Sequence, residues 1–114
     1  MKQVSAYIHD FMTEKVTDAL RLAHIHGVTI VTCEGFGRAA PDAGRGHYLD
    51  SDVELGFAPK TEIEIVCRDE ETNGIIDLIR QTAHTGRHGD GMVFVSPVTQ
   101  VVSIRTGEEG DSVL

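Results

Sequence analysis

The chain has 114 residues, which suits one domain around one hydrophobic core, so we expect a single domain over residues 1–114. Hydrophobic residues make up 40% of the chain, and no apolar run approaches the roughly 20 residues that a membrane-spanning helix needs, which excludes such a helix. Ten basic and 18 acidic residues give a formal net charge of −8, which opposes binding to the phosphate backbone, so we expect no nucleic acid as a partner.

The first half of the chain predicts a strand, a helix and a second strand. Apolar and polar residues alternate over residues 2–9, as in a strand with one face toward solvent. The same segment lacks the apolar core and the cleavage site of a signal peptide, which predicts a cytoplasmic protein. Apolar residues at helical spacing then predict a helix over 13–26 that ends at Gly27. The β-branched run at 28–36 predicts the second strand.

The second half repeats this order after a long loop. Glycine, proline and few apolar residues over about 38–58 predict a loop without packed elements, and a loop of this length in a small domain favours a functional role over a purely connecting one. The next expected elements are a strand over 60–68 and a helix from Asp69 to near Ala83. After the glycine-rich segment HTGRHGDG, the runs MVFVSP and VTQVVSIRTGE predict two further strands.

This element order predicts an α+β fold, the ferredoxin-like split βαβ sandwich, in which both helices cover one face of an antiparallel sheet. The second and third strands carry apolar residues on both faces: Ile30, Thr32, Ile63 and Ile65 on one, and Val31, Cys33 and Val66 on the other. An apolar face without helices has to be covered, and we expect other subunits to cover it.

The two cysteines lie inside strand-like runs, where a cysteine usually acts as a small buried hydrophobic residue. If Phe36 lies near Lys60 in a hairpin, Cys33 and Cys67 are offset by about four residues, or roughly 13 Å along the strands. That separation exceeds the reach of a disulfide. We therefore predict two free thiols.

Two glycine-rich segments are candidates for anion binding. Residues 85–91 (TGRHGDG) combine three glycines with a basic residue, and glycines allow backbone N–H groups to face a phosphate. Residues 35–38 (GFGR) place a second glycine pair and an arginine at the start of the long loop. Each segment by itself is more typical of a structural turn than of a phosphate site, and residues 85–91 match neither the P-loop nor the dinucleotide-binding pattern.

Taken together and in order, four motifs resemble those of the PII signal transduction family. They are GFGR at 35–38, PKTEIEIV at 59–66, TGRHGDGMVFVSPV at 85–98 and IRTGE at 104–108. The resemblance extends over nearly the whole chain outside residues 39–58. It implies a homotrimer of ferredoxin-like subunits that binds adenine nucleotides in the clefts between subunits. It also implies that the long loop contacts and regulates a membrane transporter or an enzyme complex.

The resemblance also implies the binding residues. Around the adenine it places Gly27, Thr29, Glu64 and Val66. Around the ribose and phosphates it places Gly37, Arg38, Lys60, Gly89, Asp90 and Gly91, with Arg105 reaching in from the adjoining subunit. The expected nucleotide-binding residues also include Gly35 and Arg87. These cations form a local positive patch in an acidic protein, as polyphosphate binding requires.

Three departures from the family pattern bear on the choice of nucleotide. Ala39 replaces the glutamine that helps to hold the magnesium bridging ATP and 2-oxoglutarate. Met92 and Ser103 replace two phosphate-binding cations, each worth on the order of 1.5–3 kcal/mol. We therefore expect ADP or AMP to be favoured over ATP. Tyr48 is not a secure counterpart of the family's modified tyrosine, so the resemblance is to the divergent PII-like proteins.

The base of the long loop also predicts a second ligand. Arg38 and Lys60 suit a small planar anion such as bicarbonate, which matches a guanidinium fork. The alternative is that Arg38 contacts only phosphate or solvent.

Other functions remain as alternatives. One is a PII-like nitrogen regulator that binds ATP and 2-oxoglutarate. Another is a metal-responsive protein related to metal-efflux systems, although the histidines lack partners at ligand spacing. An enzyme would need a nucleophile or an acid–base pair with an orienting group, and the sequence shows none, so we expect no catalytic residues. The six histidines are His9, His24, His26, His47, His84 and His88.

Overall fold

A computed structural model describes residues 1–37 and 57–114, so the predicted loop over 38–58 lies almost entirely outside the described residues. The strands are β1 (Lys2–His9), β2 (Val28–Gly35), β3 (Ala58–Cys67) and β4 (Met92–Pro97), and the helices are α1 (Thr13–Leu22) and α2 (Thr72–Ala83). Short 3-10 turns precede both helices, at Asp10–Met12 and Asp69–Glu71. Among the described residues, no helix combines the length and apolarity needed to cross a membrane.

The strands form one antiparallel sheet in the order β2-β3-β1-β4. Both helices pack on the same face, where alternate residues of β1 and β3 meet the apolar stripes of α1 and α2. This arrangement confirms the predicted α+β, ferredoxin-like sandwich. The buried core consists of Val4, Ala6, Ile8, Val16, Leu20, Ile63, Ile65, Cys67, Ile75, Ile79 and Ala83.

The first helix is shorter than predicted, because it ends at Leu22 rather than near residue 26. His24 has a φ of 58°, and its N–H donates to the carbonyl of Arg21 at 3.0 Å. The N–H of Ile25 donates to the carbonyl of Leu20, also at 3.0 Å, which completes a Schellman motif. The prediction failed because a histidine, and not Gly27, takes the left-handed position that ends the helix.

The register of β2 on β3 also differs from the predicted one. Cys33 lies opposite Lys60, and the ring of Phe36 contacts that of Phe57 with centroids 5.2 Å apart, so Phe36 does not lie near Lys60. This register places Ile30 opposite Ile63, on the side of the sheet that faces the helices, although Ile30 itself is 48% exposed. The alternation of apolar residues fixes which face each residue takes, but it leaves the register open, because a shift by two residues keeps the same faces.

The two cysteines are free, as predicted, and the register gives a simpler reason for it. Cys67 is buried on the helix-covered face, whereas Cys33 lies on the opposite face of the sheet. Two thiols on opposite faces of one sheet cannot form a disulfide.

The run at 98–108 does not form the predicted additional strand. Its only ladder contact among the described residues is a single bridge between Val102 and Glu109. A tight turn lies between them, with the N–H of Ser103 donating to the carbonyl of Glu108 at 2.8 Å. Pro97 ends β4 because it lacks the N–H that a ladder needs, and the chain then leaves the sheet.

The face of the sheet without helices, which we call the open face, carries several large apolar side chains. Tyr7 and Phe94 form an edge-to-face pair with ring centroids 6.0 Å apart. Met92 and Phe94 in the single chain are 68% and 57% exposed, and Val31 is also exposed. The prediction that both faces hold apolar residues is therefore confirmed.

Candidate functional site

Three segments that are distant in sequence meet at one end of the sheet. The register places His9, at the end of β1, opposite Lys60 of β3. The ammonium of Lys60 lies 3.5 Å from Nδ1 of His9 and donates a hydrogen bond to the carbonyl of Gly89. The base of the long loop, the end of β1 and the glycine-rich loop at 84–91 are therefore in direct contact.

Asp90 closes the glycine-rich loop upon itself. Its carboxylate accepts hydrogen bonds from the N–H groups of Thr85 and Gly86, at 2.8 and 3.0 Å, and from the hydroxyl of Thr85. Gly86, Gly89 and Gly91 all have positive φ values, which a residue with a side chain adopts only with strain. The loop therefore takes a fixed, tightly curved shape.

Gly91 is required by a close approach of backbone to backbone. A Cβ at this position would lie 1.7 Å from the carbonyl oxygen of Tyr7. No side chain fits in that space without moving β1 or the loop. The conformation of the glycine-rich loop thus depends directly on the first strand.

The surroundings of this cluster shift the pKa values of Lys60 and Asp90. Burial lowers the pKa of Lys60, and the nearby carboxylates of Asp90 and Asp10 partly oppose that effect. Burial acts to raise the pKa of Asp90, but the hydrogen bonds from Thr85 and Gly86, with His9 adding to them, outweigh it and lower this pKa overall. The cluster therefore holds a carboxylate and a cation in one partly buried place.

His9 belongs to this cluster, although the sequence pointed to it only as one of six scattered histidines. It is 7% exposed, and its Nε2 lies 3.3 Å from Oδ1 of Asp90, an ion pair when the imidazole is protonated. His9 joins the cluster because the pairing of β1 with β3 places it opposite Lys60. That pairing cannot be read from the amino-acid sequence alone.

A second group of predicted residues lies farther along the open face. Lys60, Glu64 and Val66 alternate along β3 and share this face, and Thr29 of β2 lies directly opposite Glu64. Four residues separate Lys60 from Glu64, a distance of roughly 13 Å at the rise of a strand. Gly27, with a φ of 69°, precedes β2 at the same end as Thr29.

The carboxylates on this face interact with one another. Glu62 raises the pKa of Glu64, mainly by repulsion between their like charges. The hydroxyl of Tyr7 donates a 3.0 Å hydrogen bond to Glu62. The open face therefore combines apolar side chains with negative charge between the two groups of predicted ligand residues.

Of the remaining predicted residues, Gly35 and Arg87 lie at the rims of the cluster. Gly35 ends β2, and a Cβ there would lie 3.7 Å from Cγ of Lys60. The N–H of Arg87 donates to the hydroxyl of Thr85 at 3.2 Å. Arg105 is exposed in a turn after β4 and is not part of these contacts. Gly37 is the last described residue before the long loop, and Arg38 lies outside the described residues.

The metal alternative gains no support from this geometry. Within residues 1–37 and 57–114, histidine, cysteine, aspartate and glutamate side chains form no group of three or more that could hold a metal ion. His47 lies outside those ranges. The contacts of His9 are with a lysine and an aspartate that are themselves hydrogen-bonded to the protein.

Comparison with known proteins agrees with the fold. A family model described as "Nitrogen regulatory protein P-II" matches residues 1–108. The chain is 42% identical over 113 residues to the nitrogen regulatory protein P-II of Azospirillum brasilense, covering 96% of each chain. It is 40% identical to the protein of that name from Rhizobium meliloti, with the same coverage. It is 39% identical to nitrogen regulatory protein P-II 1 of Escherichia coli K12 over the full length of both chains. The chain therefore belongs to the P-II family, whose members are regulatory signal transducers and not enzymes.

Proposed function

We propose that this protein is a regulator that binds adenine nucleotides in the clefts between the subunits of a homotrimer and favours ADP or AMP over ATP. It then controls a transporter or an enzyme complex through the loop over 38–58. The observation that carries this proposal is the contact of Lys60 with the glycine-rich loop, on the face that also presents Thr29 and Glu64.

The position of Lys60 suits a phosphate ligand. Its ammonium is half-buried and bonds to the carbonyl of Gly89, so a phosphate that enters the loop can replace that carbonyl as the acceptor. A hydrogen bond between charged groups contributes about 1.5–3 kcal/mol. Residues of the adenine group lie roughly 13 Å farther along β3, which suits a nucleotide that extends along the strand.

The preference for ADP or AMP follows from missing charge. Met92 directly follows the glycine-rich loop and is 68% exposed, so it offers an apolar surface where a cation could contact the distal phosphate. Ser103 likewise carries no charge. A triphosphate has more negative charge to neutralise and therefore loses more than ADP or AMP does.

The homotrimer follows from family membership and from the open face. Tyr7, Val31, Met92 and Phe94 leave an apolar surface on a chain whose core is already complete on the other face. Burial of such a surface between copies is favourable at about 25 cal/mol per Å². Arg105, exposed on the C-terminal segment, is free to act in the cleft of a neighbouring copy under this proposal.

Bicarbonate is the proposed second ligand, at the base of the long loop beside Lys60. A cation there that also faces the nucleotide would couple the two ligands, so each tightens the binding of the other by the same factor. The long loop over 38–58 starts beside this proposed site, so ligand binding there would act on the client protein through that loop.

A second candidate function is a nitrogen regulator that binds ATP together with 2-oxoglutarate. The observation that favours it is the name of the relatives, which are called nitrogen regulatory proteins at about 40% identity. Ala39 and Met92 oppose it, because they remove a magnesium ligand and a cation that the resemblance assigns to this ligand pair.

Calorimetric titration with AMP, ADP and ATP, each with and without 2-oxoglutarate or bicarbonate, tests these proposals. We expect ADP or AMP to bind at least as tightly as ATP, and bicarbonate to tighten that binding. Lys60→Gln should weaken ADP binding about tenfold or more, whereas Lys15→Gln, on the exposed side of α1, should leave it unchanged. ATP binding that depends strongly on 2-oxoglutarate would instead establish the second candidate.

A further inference from the structure

We propose that His9 is a positioning residue that links Asp90 to Lys60 and makes nucleotide binding to the glycine-rich loop tighter at slightly acidic pH. This inference rests on the proposed binding of adenine nucleotides. It concerns a residue that contacts the binding cluster from the first strand and that none of the four resemblance motifs contains.

The imidazole of His9 is held on several sides. Nε2 lies 3.3 Å from Asp90 and Nδ1 lies 3.5 Å from the ammonium of Lys60. The ring stacks on Phe11, with centroids 4.8 Å apart and planes 14° from parallel. A Cβ on Gly89 would lie 3.2 Å from Cε1 of His9, so the loop backbone packs against the edge of the ring. The orientation of His9 is therefore determined by the end of β1, by β3 and by the loop.

This geometry makes the protonation state of His9 matter to both partners. In the neutral ring, Nδ1 accepts from Lys60 and Nε2 lies 3.3 Å from Oδ1 of Asp90, so the imidazole stands between the two charged groups. In the protonated ring both nitrogens are donors, so the contact with Asp90 becomes an ion pair and the contact with Lys60 becomes repulsive. Protonation of His9 therefore strengthens its contact with Asp90 of the glycine-rich loop. It also removes the hydrogen bond between Nδ1 and Lys60, so the ammonium becomes available to an anion.

The charged groups that face His9 are of both signs: Lys60 repels a protonated imidazole, whereas the carboxylates attract it. Lys60 of β3 faces Nδ1, and Cys33 of β2 lies opposite Lys60. Asp90 faces Nε2 from the glycine-rich loop, and Asp10 follows His9 in the chain and also acts on Lys60. Asp90 keeps its charge at neutral pH because its hydrogen bonds lower its pKa. One added positive charge on His9 then raises the attraction of the cluster for phosphate, and imidazole ordinarily titrates between about pH 5 and 8.

The test is the affinity for ADP, measured by calorimetry between about pH 6 and about pH 8 for the wild-type protein and two variants of His9. For the wild-type protein we expect affinity to rise about threefold to tenfold over that interval as the pH falls, beyond the change caused by protonation of ADP itself. His9→Gln, which keeps hydrogen-bonding groups but does not titrate, should lose this additional rise. His9→Lys, which stays charged, should bind ADP at the higher affinity across the whole interval.

The control is His24→Asn, which removes a histidine at the end of α1 and places there a residue that tolerates a positive φ. It should keep the wild-type pH profile, because His24 is exposed on the helix end. Protonation of ADP is common to all variants and cancels in the comparison. Thermal unfolding of each variant shows that the fold is retained.

The outcomes separate this inference from the function on which it rests. A His9→Gln protein with the same pH profile as the wild type would overturn the role of His9 while leaving the nucleotide sensor intact. A wild-type protein that binds no adenine nucleotide at any of these pH values would overturn both. Loss of the additional rise in His9→Gln, together with high affinity in His9→Lys, supports the inference.

Discussion

The two faces of the sheet come from the same strands, but different material covers them. On one face Val4, Ala6 and Ile63 are completely buried beneath the two helices. On the other face Tyr7 of β1 is 37% exposed in the single chain, and Met92 and Phe94 of β4 are more than half exposed. The covered face makes one subunit stable, whereas the open face presents apolar surface, carboxylates and the predicted ligand residues to whatever binds there. The two faces therefore separate the residues that build the core of one subunit from those proposed to bind ligands and other copies.

The largest expected effect comes from placing a charge on the open face. Phe94→Asp should abolish assembly, because a carboxylate cannot be buried between copies without a partner. We expect at least about a thousandfold weaker association, observed by light scattering as a fall from three times 12.4 kDa to a single chain. Leu22→Asp, a charge on an exposed apolar site of α1, should leave the mass unchanged. A wild-type protein that is already monomeric would contradict the role of the open face.

A core substitution tests the covered face. Leu20→Ala should lower the free energy of unfolding by about 3 kcal/mol, because Leu20 is 1% exposed and its removal leaves a cavity under the helices. Leu22→Ala, two residues along the same helix at 82% exposure, should change it by less than about 0.5 kcal/mol. Denaturant unfolding measures the free energy of unfolding of both variants. Equal losses in the two would contradict the distinction between the buried and the exposed side of α1.

The glycine-rich loop gives the next effect, on ligand binding. Gly91→Ala should weaken ADP binding about tenfold or more, because its methyl group would overlap the Tyr7 carbonyl and displace the loop. Gly74→Ala is the matched control, since nothing lies within 4 Å of a Cβ at that helical position. It should raise stability by about 0.5–1 kcal/mol and leave ADP affinity unchanged. Calorimetry with wild-type affinity in Gly91→Ala would contradict the proposed site.

The smallest effect concerns the carboxylates of the open face. Because Glu62 raises the pKa of Glu64, the folded state binds that proton more tightly than the unfolded chain. The contribution of Glu64 to stability is therefore present below its ordinary pKa and is lost as pH rises through the raised value. Glu64→Gln should increase Tm by about 1–2 °C at neutral pH, with no difference in acid. Glu108→Gln, in the C-terminal segment, should show no such change. An unchanged Tm in Glu64→Gln would indicate that repulsion on this face is negligible.

Much of the fold follows from local patterns. Alternation over residues 2–9 predicts β1, which spans Lys2–His9, and the apolar spacing after Asp69 predicts α2, which ends at Ala83 as expected. The order and content of the four motifs identify the family, because they are local strings whose meaning does not depend on the register. Where the prediction failed, at the end of α1 and after β4, a single residue or a missing partner strand decided the outcome, and neither is a periodic feature.

The candidate site divides in the same way. The glycines, Lys60 and Asp90 are visible in the motifs, and the structure brings these residues into one cluster. His9 escaped sequence reasoning because its importance arises from its position opposite Lys60, fifty-one residues away along the chain. The structural role of Asp90 also came only from the structure: its carboxylate accepts hydrogen bonds from the N–H groups of Thr85 and Gly86 and so keeps the glycine-rich loop closed.

By itself, the sequence determined the parity of the strands, the apolar stripes of the helices and the motifs of the family, since each depends on residues close together in the chain. Only the tertiary structure decided the register of β2 on β3, the Schellman end of α1 and the contact of His9 with Lys60 and Asp90. The register and the contacts of His9 arise where distant segments pack, because burial and hydrogen bonding there select one arrangement among several that the local sequence allows. The end of α1 is local in the chain, but it depends on the left-handed conformation of His24, which no periodic pattern marks.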